Sequence, residues 1–245
     1  MKYSVAPYMR VGFQNKTLYL GFGSISKKVR NTTKQNILLS ILEYWKIPKT
    51  AKEIEGVISS NFPSYKKEIQ KLIQQVIENR FVIPNDWHDP LSIYSRHSLF
   101  YAFSGADPEL VQRKLKGSTV LIWGCGGVGN IVSVALATAG IGRLILMDFD
   151  TIEASNLTRQ FMFTKEDIGK LKVDVLTKAL LQRSSDTQFE IVREQVNAEV
   201  LEKYKDVSMI ILSADSAYCL PLINNFSIKN NVPYINISYV QDIAV

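Results

Sequence analysis

The sequence is poor in the residues that build cross-links and metal centres, with two cysteines, Cys125 and Cys219, and two histidines among 245 residues. Neither cysteine has a second cysteine two residues away, so a disulfide scaffold and a self-contained four-ligand zinc site are excluded. No apolar run approaches the roughly 18 residues that a membrane span requires, and residues 1–12 contain none of signal-peptide length. These absences predict a cytoplasmic protein without a membrane partner.

Charge is unevenly distributed along the chain. The net charge of +6 divides into 14 basic and 6 acidic residues before position 89, and 15 basic and 17 acidic residues from there onward. A hydrophobic share of 46% excludes a disordered or low-complexity chain. A basic first part and a nearly neutral second part predict two modules with different partners.

The first 84 residues have the pattern of a small α+β domain. Strands are predicted at 8–13, 17–22 and 81–83. Three helices are predicted between them, the first capped by Thr32 or Thr33, the second by Thr50 and the third beginning after Ser64. This order is that of a winged-helix-like domain at 1–84. Turn-forming residues then predict a linker at 85–93.

The remaining residues, 94–245, alternate between strands and helices. Strands are predicted at 119–123, 144–147, 189–192, 209–213 and 234–237, and helices at 130–139, 170–183, 199–204 and 217–229. Most of the strands are unbroken apolar runs, as in a parallel sheet buried on both faces. The fold class is therefore α/β, with a doubly wound, mostly parallel, Rossmann-like sheet. The chain stops at Val245 without a closing element, so we expect a truncated domain. The alternative, that Val245 is the natural end of the protein, stays open.

A glycine-rich loop follows the first of these strands and opens a helix. Its glycines are Gly124, Gly126, Gly127 and Gly129. Glycines allow the backbone to approach phosphates, and the helix N-terminus supplies N–H donors and positive dipole. Asp148 ends the second strand, where a carboxylate can accept both ribose hydroxyls. At this point an NAD enzyme and an ATP enzyme fit equally.

Cations further along favour ATP. A triphosphate carries more charge than a dinucleotide, and its pyrophosphate leaving group needs Arg or Lys contacts. Arg159 and Lys172 can supply them if the intervening loop folds over the site. Asp215 follows the fourth strand, where a carboxylate can hold Mg²⁺ between phosphate oxygens. A helix cap is the alternative for Asp215.

The order of these motifs resembles the ThiF/MoeB adenylating superfamily, which includes the ubiquitin-activating enzymes. The matching residues are the glycine loop, Asp148, Asp150, Asn156, Arg159, Gln160, Lys172 and Asp215, with Arg96 upstream. The resemblance implies ATP and Mg²⁺ as cofactors, with Asp148 on ribose, Arg159 and Lys172 on the triphosphate, and Asp215 on the metal. It also implies nucleotide contacts by Asp150, Asn156 and, more weakly, Gln160. Arg96 would reach the phosphates of a partner subunit, which implies a homodimer.

A narrower resemblance is to the peptide-modifying members of this family that make microcin C-like antibiotics. It is carried by residues 104–108, 110–112, 114–116, 133–134, 137–138, 140–142 and 239–245. These enzymes begin with a small peptide-clamp domain, the expected role of 1–84. The resemblance implies that ATP nucleotidylates the C-terminal Asn of a short ribosomal peptide, giving a phosphoramidate through a succinimide. Tyr239 and Asp242 are candidate peptide contacts, and structural Zn²⁺ is expected only in a C-terminal part beyond Val245.

Two other functions stay open. One is an adenylating enzyme for a ubiquitin-like sulfur-carrier protein, against which the additional first domain argues. The other is a nucleotide-sensing winged-helix DNA-binding protein. The outward positions of its third helix include Glu68, Gln74, Gln75 and Glu78, so a nucleic-acid partner is disfavoured. Cys125 is interpreted as a space-filling side chain and not as a nucleophile.

Overall fold

The computed structural model describes residues 1–23, 25–184, 186–216, 218–237, 239–240 and 243–244. They form two compact units, Met1–Val111 and Gln112–Val245. No helix in these ranges is long and apolar enough to cross a membrane.

The first unit contains five strands and four helices, with two short 3₁₀ turns, within the described residues. The strands are β1 (Tyr3–Val5), β2 (Arg10–Gln14), β3 (Thr17–Phe22), β4 (Ile25–Val29) and β5 (Val82–Pro84). The helices are α1 (Thr32–Tyr44), α2 (Ala51–Asn61), α3 (Lys66–Glu78) and α4 (Ser95–Ser104), and the 3₁₀ turns are Pro63–Tyr65 and Asn85–Trp87. Helix α5 (Pro108–Lys116) runs across the division of the chain.

Strands of the first unit form two small antiparallel sheets. One has the order β2-β3-β4, and the other pairs β1 with β5. The predicted strands at 8–13 and 17–22 correspond to β2 and β3, whereas β1 and β4 were not predicted. β4 escapes prediction because the middle of its sequence, Ile-Ser-Lys-Lys-Val, is polar and exposed. β1 has only three residues, too few to show an alternation.

Helix α1 begins one residue earlier than its predicted cap allows. The prediction that Thr32 or Thr33 caps this helix is wrong, because the Asn31 side chain accepts a hydrogen bond from the Lys34 N–H at 3.0 Å. An asparagine side chain caps at least as well as a threonine, and here it lies at the extended residue before the first turn. The cap of α2 by Thr50 is confirmed.

One hydrophobic core holds the first unit together. Trp45 is fully buried there among apolar residues of α1, α2 and α3. Helix α4 contributes Ala102 to the same core, and Leu99 packs against it. The compact unit therefore continues to Val111, past the predicted linker. A functional boundary at 85–93 stays a prediction.

The second unit is built on a parallel sheet. Its central elements are β6 (Thr119–Trp123), α6 (Gly127–Thr138), β7 (Arg143–Met147), α7 (Lys172–Leu181), β8 (Gln188–Val192), α8 (Ala198–Glu202), β9 (Met209–Leu212), α9 (Cys219–Asn230) and β10 (Tyr234–Asn236). Two 3₁₀ turns, Ala154–Thr158 and Lys165–Asp167, lie between β7 and α7, and a short antiparallel pair, β11 (Tyr239–Val240) and β12 (Ile243–Ala244), follows β10. The strand order is β10-β9-β6-β7-β8, with every pair parallel. The predicted doubly wound α/β fold is confirmed.

Both faces of this sheet are buried, which explains the unbroken apolar runs of its strands. Along β6, Leu121 and Trp123 join one core cluster, and Val120 and Ile122 join another. Residues of α8 and α9 cover the first face, and residues of α6 and α7 cover the second. The chain leaves β6 toward β7 and later returns to β9 on the other side of β6. Ligands bind at such a switch point, beyond the carboxyl ends of the strands.

Helices α6 and α7, which border the carboxyl ends of the strands, begin at other residues than predicted. Helix α6 begins at Gly127 and not at 130, because the glycine run itself forms the first turn. Helix α7 begins at Lys172 and not at 170, because Leu171 makes a β-bridge with Thr151. The predicted first residue of the last helix, Ala217, lies outside the described residues.

Replacing Asn31 by Ala should lower the free energy of unfolding by about 1 kcal/mol, because the first turn of α1 loses its cap. Thr32→Ala is the matched control, and should change it by less than about 0.5 kcal/mol. Urea denaturation followed by tryptophan fluorescence, to which the buried Trp45 contributes, measures both. A larger loss in Thr32→Ala than in Asn31→Ala would contradict the assignment of the cap.

Candidate functional site

A cleft of about 570 Å³ lies at the carboxyl ends of β6, β7 and β9. It brings together ten of the predicted site residues: Gly124, Gly126, Gly127, Asp148, Asp150, Asn156, Arg159, Gln160, Lys172 and Asp215. Gly129 lies in the first turn of α6 and is not among the residues that line the cleft. Arg96 belongs to the first unit, on α4. The cleft thus lies at the switch point of the sheet.

The glycines of the loop after β6 serve two different needs. Gly124 has a φ of +101°, and a Cβ on Gly129 would lie 2.0 Å from the carbonyl oxygen of Gly124. The protein's own packing therefore requires glycine at both positions. Around Gly126 and Gly127 the nearest atoms to an added Cβ lie at 3.8 and 3.6 Å, which is ordinary contact. There the absence of side chains leaves space in the cleft for a ligand.

The N-terminus of α6 faces this space without a side-chain cap from the described residues. The first N–H groups of a helix have no partner within the helix. An anion at this position would accept their hydrogen bonds and meet the positive end of the helix dipole.

Asp148 joins the glycine loop to the end of β7. Its Oδ2 accepts from the Cys125 N–H at 2.7 Å, and its Oδ1 accepts from the Asp150 N–H at 2.8 Å. Burial raises the pKa of the Asp148 carboxyl, while these two hydrogen bonds and Lys172 oppose the rise. Each carboxylate oxygen has two acceptor positions, so both can accept a further hydroxyl donor.

Lys172 is a buried cation at the wall of the cleft. Its side chain is 9% exposed, and its Nζ lies 2.7 Å from Oδ2 of Asp150, which is half exposed. The Lys172 N–H also donates to the Asp150 carbonyl at 3.0 Å, so the start of α7 is held against the residues after β7. The ammonium group is thereby kept at the cleft, where an anionic ligand can compete for it.

Arg159 and Gln160 follow a 3₁₀ turn that Asn156 organises. The buried Asn156 accepts from the Glu153 N–H through its side chain, and its carbonyl accepts from the N–H groups of both Arg159 and Gln160. Arg159 is exposed and donates to the Ser155 carbonyl at 3.0 Å. The Oε1 of Gln160 is buried at the cleft and has no hydrogen-bond partner among the described residues.

Asn130 contributes to the site although the sequence analysis did not single it out. It lies on α6 and is 1% exposed. Its Nδ2 donates to the Cys125 carbonyl at 2.9 Å, and its Oδ1 accepts from the Met162 N–H at 3.0 Å. The available signal was a lone amide next to the glycine run, at the start of an otherwise small and apolar helix sequence. On the other side of the loop, the Ser213 hydroxyl donates to the Gly124 carbonyl at 2.6 Å.

The distribution of charge in the cleft favours a metal ion that phosphate oxygens of a ligand also coordinate. Its lining has five carboxylates, from Asp148, Asp150, Glu153, Glu194 and Asp215, and two cations, from Arg159 and Lys172. The described residues hold no group of three or more His, Cys, Asp or Glu side chains that could bind a metal alone. Mg²⁺ needs only one or two carboxylates when phosphate oxygens and waters complete its shell. The exposed Asp215 fits that requirement.

Cys125 has the environment of an unreactive thiol. It is fully buried within the glycine loop, and burial raises the pKa of its thiol well above the ordinary value. The charge of Asp148 raises this pKa further. A thiolate is disfavoured there, in keeping with the interpretation of a space-filling side chain. Of the two candidate peptide contacts, Asp242 lies outside the described residues, and the structure describes no side-chain contact of Tyr239.

A doubly wound parallel sheet has a glycine loop at its switch point, and the helix N-terminus there can bind an anion. These features define a Rossmann-like α/β protein. Within that class, residues 94–241 match the model of the ThiF family. The chain belongs to the ThiF family.

Known relatives and solved structures match different shares of the chain. The sulfur carrier protein ThiS adenylyltransferase of Escherichia coli is 36% identical over 130 residues, which are 53% of this chain and 52% of that protein. The adenylyltransferase and sulfurtransferase MOCS3 of Anopheles gambiae is 28% identical over 76% of this chain and 42% of that protein. The structure of E. coli MccB with ATP matches 100% of this chain and 72% of that one, with 33% identity and a TM-score of 0.89. The chain spans about half the length of the curated relatives it matches.

The two kinds of loop glycine should respond differently to alanine. Gly129→Ala should lower the free energy of unfolding by about 1–3 kcal/mol, because its Cβ would collide with the Gly124 carbonyl. Gly126→Ala should change it by less than about 0.5 kcal/mol, because its Cβ meets only ordinary contacts. Denaturant unfolding of both variants measures the difference, and equal losses would contradict the assignment of Gly126 to ligand space.

Proposed function

We propose that this protein is an ATP-dependent nucleotidyltransferase that adenylylates the C-terminal Asn of a short ribosomal peptide. The product would be a nucleotidyl phosphoramidate, as in microcin C-like antibiotic biosynthesis. One observation carries the proposal. The likeness to E. coli MccB extends over the whole chain, including the first unit, at 34% identity and a TM-score of 0.90. Structures of that enzyme contain ATP, a succinimide or MccA.

We propose one orientation of ATP in the cleft, defined by the positions of its phosphates and its ribose. The phosphates would lie against the N-terminus of α6, where Gly126 and Gly127 leave space. Asp148 would accept the ribose hydroxyls with its remaining acceptor positions. Asn156 supports the turn that carries Arg159 and Gln160. In this orientation Arg159 and Lys172 bind the triphosphate, and Lys172 exchanges Asp150 for phosphate oxygen.

The reaction needs positioning and charge stabilisation more than covalent help from the protein. A nitrogen of the peptide's C-terminal residue attacks the α-phosphorus, the bond to pyrophosphate breaks, and the nitrogen loses a proton. Arg159 and Lys172 stabilise the charge that develops on the pyrophosphate. Mg²⁺, held by Asp215, would neutralise charge on the phosphate oxygens.

The lining of the cleft also bears on the proposed homodimer. Carboxylates outnumber cations there five to two. A triphosphate brought to this surface needs further positive charge, which Mg²⁺ and an arginine from elsewhere can supply. Arg96 of a second copy of the chain is our candidate for that arginine.

The first unit is our candidate for the peptide clamp. In the sheet β2-β3-β4 the outer edges of β2 and β4 pair with no strand of the described residues. An extended peptide can add to such an edge through main-chain hydrogen bonds. The exposed residues of α3 mix the lysines at 66, 67 and 71 with Gln74, Gln75 and Glu78, so this helix is not the uniformly basic face that a DNA phosphate backbone favours.

A sulfur-carrier protein is the second candidate substrate. It is favoured by the names of the relatives from E. coli and Anopheles gambiae. The match to the E. coli sulfur-carrier enzyme, however, includes only 53% of this chain. The first unit would then need a different explanation.

Incubation of the intact protein with ATP, Mg²⁺ and Asn-terminated peptides should add the mass of one nucleotidyl group to a peptide, as measured by mass spectrometry. Asp215→Asn should reduce this product about 100-fold or more, because the metal loses its protein ligand. Glu166→Gln, an exposed carboxylate of the same unit, is the matched control and should retain activity within about twofold.

The same incubation with a ubiquitin-like carrier protein separates the two substrates. Modification of the carrier and not of any peptide would contradict the peptide proposal and favour the second candidate. Full activity of Asp215→Asn would contradict the assignment of the metal ligand.

A further inference from the structure

Asn130 is the one buried side chain of the described residues that bonds both the glycine loop and the segment after Arg159. It donates to the carbonyl of Cys125 in the loop and accepts from the N–H of Met162, three residues beyond Arg159. Both bonds have near-ideal lengths, and the side chain is 1% exposed, so water does not compete for them.

The two peptide groups that flank Cys125 are therefore each held by a side chain. The Cys125 N–H donates to Asp148 and its carbonyl accepts from Asn130. The carbonyl of Cys125 shares a peptide group with the N–H of Gly126, so the bond from Asn130 sets the direction in which that N–H of the loop points. Asn130 and Asp148 together fix the orientation of the loop.

The second bond of Asn130 acts on the Arg159 segment. Arg159 and Gln160 are held at their start by the Asn156 carbonyl, and Phe163 returns to the Gln160 carbonyl. The bond from Met162 to Asn130 ties this short segment to α6. In the part of the chain that the structure describes, the Arg159 guanidinium bonds only within its own turn, to Ser155, so its position depends on how that segment is held.

We propose that Asn130 is a positioning residue that fixes the Arg159 segment against the glycine loop, so that both act on the same phosphate chain. This inference rests on the proposed function. The Asn130 amide would align two groups with each other. One is the set of loop N–H groups that bind the phosphates, and the other is the Arg159 guanidinium that stabilises the leaving group. A misplacement of about 1 Å can cost about 100-fold in rate.

The test compares ATP with AMP, which lacks the phosphates that Arg159 would reach. In Asn130→Leu the affinity for ATP should fall about tenfold or more, while the affinity for AMP, held through Asp148, changes much less. The kcat for peptide modification should fall about 100-fold. Isothermal titration with each nucleotide and single-turnover assays of the intact protein measure these changes. Asn130→Ser is the second variant, for use if the leucine variant does not fold. Its short hydroxyl cannot reach both partners, so it should also lose more affinity for ATP than for AMP.

Ser133→Ala is the matched control. Ser133 is fully buried on the same helix and donates to the Gly129 carbonyl at 2.6 Å, and it makes no hydrogen bond to the Arg159 segment among the described residues. Its loss should lower Tm but leave the ratio of ATP to AMP affinity unchanged. If the Asn130 variants only lower Tm and keep both the ratio and kcat, Asn130 is merely structural and the inference is wrong. If the wild-type protein itself does not prefer ATP over AMP, both the proposed function and the inference about Asn130 are wrong.

Discussion

The Asp148 carboxylate is the interaction on which the site depends. It bonds the glycine loop after β6 and the backbone after β7 at the same time. The residues after β7 in turn pair with Lys172 at the start of α7. One carboxylate therefore sets the relative positions of the loop, the second strand end and a buried cation. The cost of burying it, visible in the raised pKa, is offset by the two N–H donors that it accepts.

The excess of negative charge in the cleft determines which kind of ligand the site favours. A binding site for a free anion would be lined mainly by cations, and this one is not. Its carboxylates bond backbone N–H groups, pair with Lys172 or remain exposed at the rim, and they favour a ligand that brings a divalent cation with it. The proposed use of ATP with Mg²⁺ follows from this balance as much as from the glycine loop.

Much of the fold was predictable because the second unit follows simple rules. Unbroken apolar runs predicted strands buried on both faces, and the glycine loop predicted where the first helix begins, to within three residues. The residues at the strand ends were predictable for the same reason, since parallel strands bring their carboxyl ends to one edge. Their side-chain partners were not: Asn130 reaches Met162 across 32 positions of the chain, and no local pattern indicates such a pair. In the first unit, Asn31 displaced the threonines as a cap because neighbouring residues of similar propensity compete, and β4 was hidden by its polar sequence.

We expect the cleft at the carboxyl ends of β6, β7 and β9 to bind ATP with its ribose at Asp148 and its phosphates at the start of α6. A crystal structure of the intact protein with Mg²⁺ and a non-hydrolysable ATP analogue tests it most directly. We expect ribose hydroxyls within hydrogen-bond distance of Asp148, phosphates against Gly126 and Gly127, and the metal on Asp215. A nucleotide bound elsewhere, or bound in this cleft with its base at the glycine loop, would contradict it.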